Sequence, residues 1–262
     1  MNHKPYGVRI KWLSVACFEM DFGTTTVVSD PFVTDSPGTE LDWTAIEKCD
    51  YITLSHTHWD HITDIPRLMQ KFDPLLLTGE LGARDLCEWV NMNPSRMYPM
   101  TPNLELDFDV IRIKALFGRH FDLGATYEKD AIIPDTRKIF LDNPGLNPLR
   151  TWGILEYRNF LITAPNGTKL LIWGNNPSVE QRNMVKPLAP DIAILQLSKQ
   201  DPLEMAEFAA AIGAKIVIPH HMDLKLTEEQ YMPRVNAFRD AFLKLKPDAT
   251  FVCPKHGEWM EF

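Results

Sequence analysis

Three features of the 262-residue chain predict a layered α/β fold. Short alternating strands open it, compact apolar strands then follow one another with amphipathic helical segments between them, and after a hairpin in the second half the strand-to-helix alternation resumes. Residues 8–14, 16–21 and 24–29 are rich in β-branched or alternating apolar side chains, with Gly23 as a hairpin signal, and predict an antiparallel meander. Residues 51–55 (YITLS) predict a compact strand. Ile65, Leu68, Met69 and Phe72 recur at helical spacing just behind it, with Thr63 or Asp64 as the cap. Residues 75–77 predict a further strand, 81–90 a helix and 110–117 a strand. Residues 119–150 mix Pro134, Pro144 and Pro148 with Gly124 and Gly145 and show no sustained period, which predicts an irregular inserted segment forming a lid or a pocket wall.

Residues 153–163 and 168–173 predict a hairpin around Pro165, Asn166 and Gly167, and 191–197 a strand. Asp201, Pro202 and Glu204 open a helix whose stripe is Met205, Phe208, Ala209 and Ile212, and Gly213 ends it. A strand over 215–219 precedes a last helix that starts at Thr227, with Gln230 as capping-box partner and Tyr231, Val235, Phe238 and Phe242 on its buried face. Short strands over 250–253 and 258–262 close the chain as a pair. No linker or repeat divides it, so a single domain over 1–262 is expected.

Composition narrows the functional classes. Hydrophobic residues are 45% and charged residues 24%, ordinary for a globular protein with a sizeable core. A net charge of −8 opposes dedicated nucleic-acid binding, which needs a basic face. Cys17, Cys49, Cys87 and Cys253 form no C-x-x-C pair and are expected as buried thiols in a reducing compartment. Without a signal-like start or a spanning apolar run, the expectation is a soluble, cytoplasmic protein without a transmembrane segment. There is no nucleophile elbow, P-loop or dinucleotide fingerprint.

Three of the eight histidines fall in one six-residue string, HTHWDH, at His56, His58 and His61 with Asp60 between. Imidazole and carboxylate are ligands for zinc, and a loop leaving a strand end can aim alternate side chains at one point. With the opening IKWLSVACFEMDFGTTTVVSDPF and the late EFAAAIGAKIVIPHHMD, this string resembles the metallo-β-lactamase-fold hydrolases. The likeness spans most of the chain and leans toward the lactonase and phospholipase D branch, ascorbate-6-phosphate lactonase-like in character. The resemblance implies a four-layer αββα sandwich of two mixed β-sheets, with the site at one edge of the sheets and 119–150 over it.

It also implies roles. His56, His58 and His120 would hold one metal, and Asp60, His61 and His221, with His220 as the fallback, a second. Asp30, in SDPF, would support the ligands from beneath, and Asp60 would also orient or deprotonate the nucleophile. The family's bridging aspartate follows a glycine, whereas here Asn175 follows Gly174. A neutral amide cannot bridge two cations as a carboxylate does. The second metal is therefore expected to be held more weakly, or the long segment to supply another carboxylate such as Asp122, Asp135 or Asp142, or catalysis to be lost. Two Zn2+ sites are the first expectation, with Mn2+ or Fe2+ as alternatives. The implied activity is hydrolysis of a small-molecule lactone or phosphodiester by a metal-activated water. Its rival is a metal-binding scaffold with weak or no turnover, motivated by Asn175. A ribonuclease would need the basic surface that the charge opposes. Arg119 and Arg137 are candidates to meet an anionic substrate, Trp59 to line the pocket or pack over the loop, and His256 to be structural; His3 falls at the terminus. A homo-oligomer is compatible with everything above.

Overall fold

The computed structural model describes residues 6–120, 137–174, 178–198 and 200–262. The expected meander forms from β1 (Arg9–Ser14), β2 (Cys17–Asp21) and β3 (Thr26–Ser29), all antiparallel. Gly23, at φ +91°, supplies the left-handed turn between the last two. Strands β4 (Tyr51–Thr53), β5 (Leu75–Thr78) and β6 (Met97–Pro99) then add in parallel. Helices α1 (Trp59–Ile62), α2 (Ile65–Phe72) and α3 (Ala83–Val90) connect them.

The second sheet repeats this plan. Strands β7 (Glu105–Asp107), β8 (Arg112–Gly118), β9 (Tyr157–Thr163) and β10 (Lys169–Trp173) are antiparallel neighbours. Between β8 and β9 lie α4 (Lys138–Asp142) and α5 (Leu146–Leu155). Then β11 (Ile192–Gln196), β12 (Ile216–His220) and β13 (Thr250–Phe251) extend the sheet in parallel. Helices α6 (Val179–Val185), α7 (Pro202–Ala211) and α8 (Glu228–Leu245) intervene. Last, β14 (Trp259–Glu261) returns to the first sheet and pairs antiparallel with β1. The sheets run β14-β1-β2-β3-β4-β5-β6 and β13-β12-β11-β10-β9-β8-β7, each mixed.

Period-two alternation decides which side chain enters which layer. Ile10, Trp12, Phe18, Met20 and Val27 point into the core shared with Phe160, Ile162, Leu171, Ile194 and Val217 of the second sheet, and Phe208, Phe238 and Phe242 from α7 and α8 join that cluster. Leu13, Cys17, Val28 and Ile52, on the other face of the first sheet, pack under Ile65, Leu68, Leu86 and Leu149 of α2, α3 and α5. This gives the expected αββα layering, and burial of each such Leu, Ile or Phe contributes about 1.5–3 kcal/mol. With both faces covered, β2 and β9 are buried along their whole lengths.

Several expectations need correction. Residues 153–155 are the last turn of α5 rather than the start of a strand. Pro148 is tolerated in that helix because it sits in the first turn, where the N–H it lacks has no partner in any case. The described part of 119–150 is thus helical at 138–142 and 146–155, while 121–136 lie outside the described residues. Asp64 precedes α2 but does not cap it. Its carboxylate accepts from the Val33 and Thr34 backbone at 2.7 and 2.9 Å instead, tying the 33–34 loop to the helix. Strands β6 and β7 escape the pattern because they are three-residue edges of mixed polarity. The closing strands do not pair with each other but join different sheets. Among the cysteines only Cys17 and Cys49 are buried; Cys253 is exposed where the chain leaves the edge strand β13.

Candidate metal centre

The strand ends of both sheets meet at one edge. Following β4, the segment 54–58 crosses to the second sheet, where the Arg158 N–H donates to the Ser55 carbonyl at 2.8 Å. Beneath it, the Thr57 hydroxyl donates to the Leu149 carbonyl at 2.6 Å, so α5 supports the loop. Gly153 lies so close to this loop that a Cβ there would stand 2.6 Å from His58 Cδ2 and 2.9 Å from His58 N. His120 follows β8, and His221 follows β12.

These elements bring together two groups of donors, His56 with His58 and His120, and Asp60 with His61 and His221. Within each group the ligand atoms lie within 4.8 Å of one another. The rings interleave, with His56 centroids 4.1 Å from His61 and 4.6 Å from His120. The fallback, His220, turns away: its Nε2 is 3.2 Å from the Trp173 carbonyl in the interior. The asymmetry follows from the backbone, because His221 adopts φ +59° and so aims its ring opposite to the preceding strand residue. Asp30 also lies in the left-handed region, at φ +40°. Each such residue costs about 1–2 kcal/mol unless its surroundings hold it.

Asp30 explains which nitrogens face the site. Its Oδ1 accepts from Ser55 N at 2.7 Å and its Oδ2 from the Ser55 hydroxyl at 2.8 Å. With its own hydrogen committed to Asp30, the Ser55 oxygen can only accept from His56 Nδ1, 2.9 Å away. A proton on Nδ1 leaves the His56 Nε2 lone pair facing His58 Nδ1 at 3.1 Å. Asp30 Oδ2 also lies 3.0 Å from His61 Nδ1, which favours a proton there and frees Nε2. That His61 Nε2 and His221 Nε2 each stand 3.8 Å from Asp60 Oδ2. This is too long for a hydrogen bond, but two ligands on one tetrahedral cation, at bonds of about 2.0–2.2 Å, are roughly 3.4 Å apart.

Electrostatics agree with a donor set. Burial, together with neighbouring histidines, holds His56 and His221 below the ordinary imidazole range and brings His58 down to about 4. Buried His220 falls to about 3. Neutral imidazole is the ligating form. Burial also pulls His61 down, but Asp30 and Asp60 outweigh it and its pKa is raised. Burial alone would raise Asp60; His61, His221 and His58 reverse this and hold it below the usual carboxylate value. The residues present therefore fit one or two divalent cations.

The groups open on a cavity of about 550 Å³. Its walls include Trp59, Met222, Leu224 and Leu226 on the apolar side and Gln196, Ser198 and Gln200 on the polar side. Trp59 both lines it and packs edge-on against Phe32, with centroids 5.2 Å apart. Arg137 reaches the wall, its guanidinium 5.7 Å from the Trp59 ring centre, whereas Arg119 is exposed and outside the described lining. Asp142 is exposed and bonded to Lys138, so it is not a substitute ligand. Asn175, Asp122, Asp135 and His3 lie outside the described residues.

Comparison with known proteins accords with this geometry. Residues 9–117 match a family described as the β-lactamase superfamily domain. A UPF0173 metal-dependent hydrolase from Methylobacterium nodulans is 29% identical over 123 residues, 43% of this chain and 48% of that protein. One from Nitratidesulfovibrio vulgaris is 23% identical over 254 residues, 95% of this chain and 93% of that protein. Among solved structures, Igni18, a metallo hydrolase from Ignicoccus hospitalis, superposes with a TM-score of 0.70 at 15% identity, covering 97% of this chain and 98% of its own. The metallo-β-lactamase fold protein YhfI from Bacillus subtilis gives 0.60 at 15% identity, covering 97% and 99%. The chain has the metallo-β-lactamase fold. Within that fold, sequence reasoning missed Tyr157, which lines the cavity with its ring 4.8 Å from His56. Gly174 is what admits it, since a Cβ there would collide with the Tyr157 hydroxyl. No pattern marks a tyrosine that opens a strand as a site residue. Gln196 and Ser198 were equally silent, being ordinary polar residues at a strand end.

Proposed function

We propose that this protein is a metal-dependent hydrolase of the metallo-β-lactamase superfamily acting on a small molecule, a lactone or a phosphodiester. The observation that carries the reading is the pair of donor groups, His56–His58–His120 and Asp60–His61–His221, at the floor of a 550 Å³ cavity. Relatives named as metal-dependent hydrolases along nearly the full length support it. Zn2+ suits an imidazole and carboxylate set first, with Mn2+ and Fe2+ as alternatives. A metal held there supplies the Lewis acidity that acidifies a water near neutral pH and offsets charge developing on the substrate.

The chain's own residues do the rest. Asp60 remains a carboxylate through the neutral range, because three histidines hold its pKa down, so it can orient the attacking water and accept its proton. Asp30 and Ser55 fix the tautomers of His61 and His56 and so keep lone pairs aimed inward. Tyr157 stays protonated at every working pH, since burial raises its pKa, and offers the cavity a neutral wall beside His56. Trp59, Leu224 and Leu226 give the substrate an apolar surface to displace water from, while Gln196 and Ser198 offer hydrogen bonds.

The test is a panel of lactones and phosphodiesters incubated with the metal-loaded parent and with His58→Ala. Turnover of one class, abolished in the variant, is the expected result. No turnover of either class by a fully loaded protein would favour the non-catalytic scaffold.

A further inference from the structure

The loop that carries His221 is held from outside by residues that none of the chemistry above uses. At the turn between β1 and β2, Val15 has φ +45°, an unusual conformation for a β-branched residue. Its carbonyl accepts from His221 N at 2.8 Å, and its N–H donates to the two carboxylate oxygens of Asp223, each at 3.1 Å. Asp223 is buried, and its Oδ2 lies 2.9 Å from His256 Nε2. His256 in turn stacks on Trp12 with ring centroids 4.0 Å apart, and the next residue, Gly257, donates to the Trp12 carbonyl at 2.8 Å. On its far side Asp223 meets Gly38, where a Cβ would stand 2.7 Å from the Asp223 carbonyl oxygen. Segments from the start, the end and the late middle of the chain thus converge behind His221.

We propose that Asp223 and His256 are positioning residues for His221, acting through Val15 to fix the His221 ring in the Asp60–His61–His221 group. This rests on the reading of His221 as a metal ligand. Both His221 and Val15 occupy the left-handed region, which is a genuine outlier for β-branched Val15 above all, so that conformation needs an outside hold. Among the described residues, the His221 N–H donates to the Val15 carbonyl, and the carboxylate that engages the Val15 N–H belongs to Asp223. His256 donates to that carboxylate and, through Trp12, anchors it to the first sheet. Neither Asp223 nor His256 is among the described residues lining the cavity, but Met222 and Leu224 on either side of Asp223 are, so the readout that isolates the role is the metal-binding step of His221 rather than turnover. The Asp60, His61 and His221 atoms span the interface between the sheets, and this latch sets their spacing.

The test titrates Zn2+ alone against a chromophoric chelator in the parent, His256→Ala, His256→Gln and Asp223→Ala, each also in the His58→Ala background, where the remaining binding step is that of Asp60, His61 and His221. The expected result is that this step weakens about tenfold to a hundredfold in His256→Ala and Asp223→Ala, the range typical of groups that orient ligands. The His56–His58–His120 step is expected to hold, and His256→Gln, which keeps an N–H donor toward Asp223, to restore much of the loss. Zn2+ binding unchanged in both alanine variants overturns the proposal, as does an equal weakening of both steps, which would mark a general structural brace. If Asp223→Ala does not fold, the partly exposed His256 carries the test alone. A parent that takes up no Zn2+ overturns the ligand reading itself, an outcome distinct from either.

Discussion

Asp30 is placed to control two ligands at once, because one oxygen of its carboxylate meets both the Ser55 hydroxyl and His61 Nδ1. Removing the relay should therefore act on His56 while leaving His61 alone. Ser55→Ala deletes the oxygen that accepts from His56 Nδ1, and metal affinity at the His56–His58–His120 group is expected to fall by about tenfold to a hundredfold. Competition with a chelator measures this, and an unchanged affinity would show that the ring is oriented by packing alone. At the same scale, the sequence singled out the histidines and Asp60 that the structure gathers into two groups but, Asp30 apart, not the residues that contact them from behind. The HTHWDH string is dense enough to be read directly. Ser55, Tyr157 and Asp223 are common residue types, and only three-dimensional proximity gives them a role. The choice of His221 over His220 came from the resemblance, and the structure gives it a physical basis in a left-handed backbone that no propensity scale would assign.

Among the elements, α5 is the one that bears most closely on the site. Gly153 lets it approach the His58 backbone, so Gly153→Ala forces either the helix or the loop to move. Overpacking of this kind costs about 1–3 kcal/mol, and a drop in unfolding free energy of that size, together with weaker metal binding, is the expected outcome. Chemical denaturation and metal titration of the one variant check both parts; a stability loss with intact metal affinity would mean that the helix yields and the loop does not. By contrast, Asp201→Ala at the start of α7 should cost about 1 kcal/mol with no effect on the metal, since its carboxylate caps Leu203 and Glu204 N–H groups at 2.8 and 3.2 Å and Asp201 belongs to neither donor group. Helix α7 was legible because its start and stop are both written in residue type, Asp201 with Pro202 at one end and Gly213 at the other. Helix α5 was not. Its two prolines-and-glycines neighbourhood suppresses the helical signal, and its stripe of Leu146, Leu149 and Gly153 becomes apolar only in contact with α3 and the loop. Strand pairing was legible locally and silent at long range: nothing near Trp259 says that β14 joins β1 rather than β13.

For the molecule as a whole, buried histidines couple stability to pH. His56, His58, His220 and His221 all stand below the ordinary value of 6.5, with His58 at about 4 and His220 at about 3. As pH falls through 6.5, the unfolded chain takes up protons at these positions and the folded chain does not. Stability of the metal-free protein should thus decline below pH 6.5, by at most about 1.4 kcal/mol per pH unit for each such histidine. His61 works the other way: its raised value makes its contribution full and constant below 6.5 and lost as pH rises through its folded value, so it leaves the decline below 6.5 to the other four. A falling Tm of the apoprotein from pH 6.5 to 4 is expected, and a level or rising profile would contradict the burial of neutral imidazoles. At this scale the layered class was readable from periodicity, and the four-layer order from resemblance, because buried strands announce themselves by composition whereas the stacking of two sheets is a long-range packing fact. No described helix is long and apolar enough to cross a membrane.

The most direct measurement is the metal content of the purified protein beside His58→Ala, His221→Ala and Asn175→Asp. Two equivalents in the parent, with a different one lost in each of the first two variants, is the result expected of two donor groups; a single equivalent rising to two in Asn175→Asp would place the weakness at the neutral amide. Metal content that is nil in the parent, or unchanged when His58 and His221 are removed, would contradict the existence of a metal centre at this edge of the sheets.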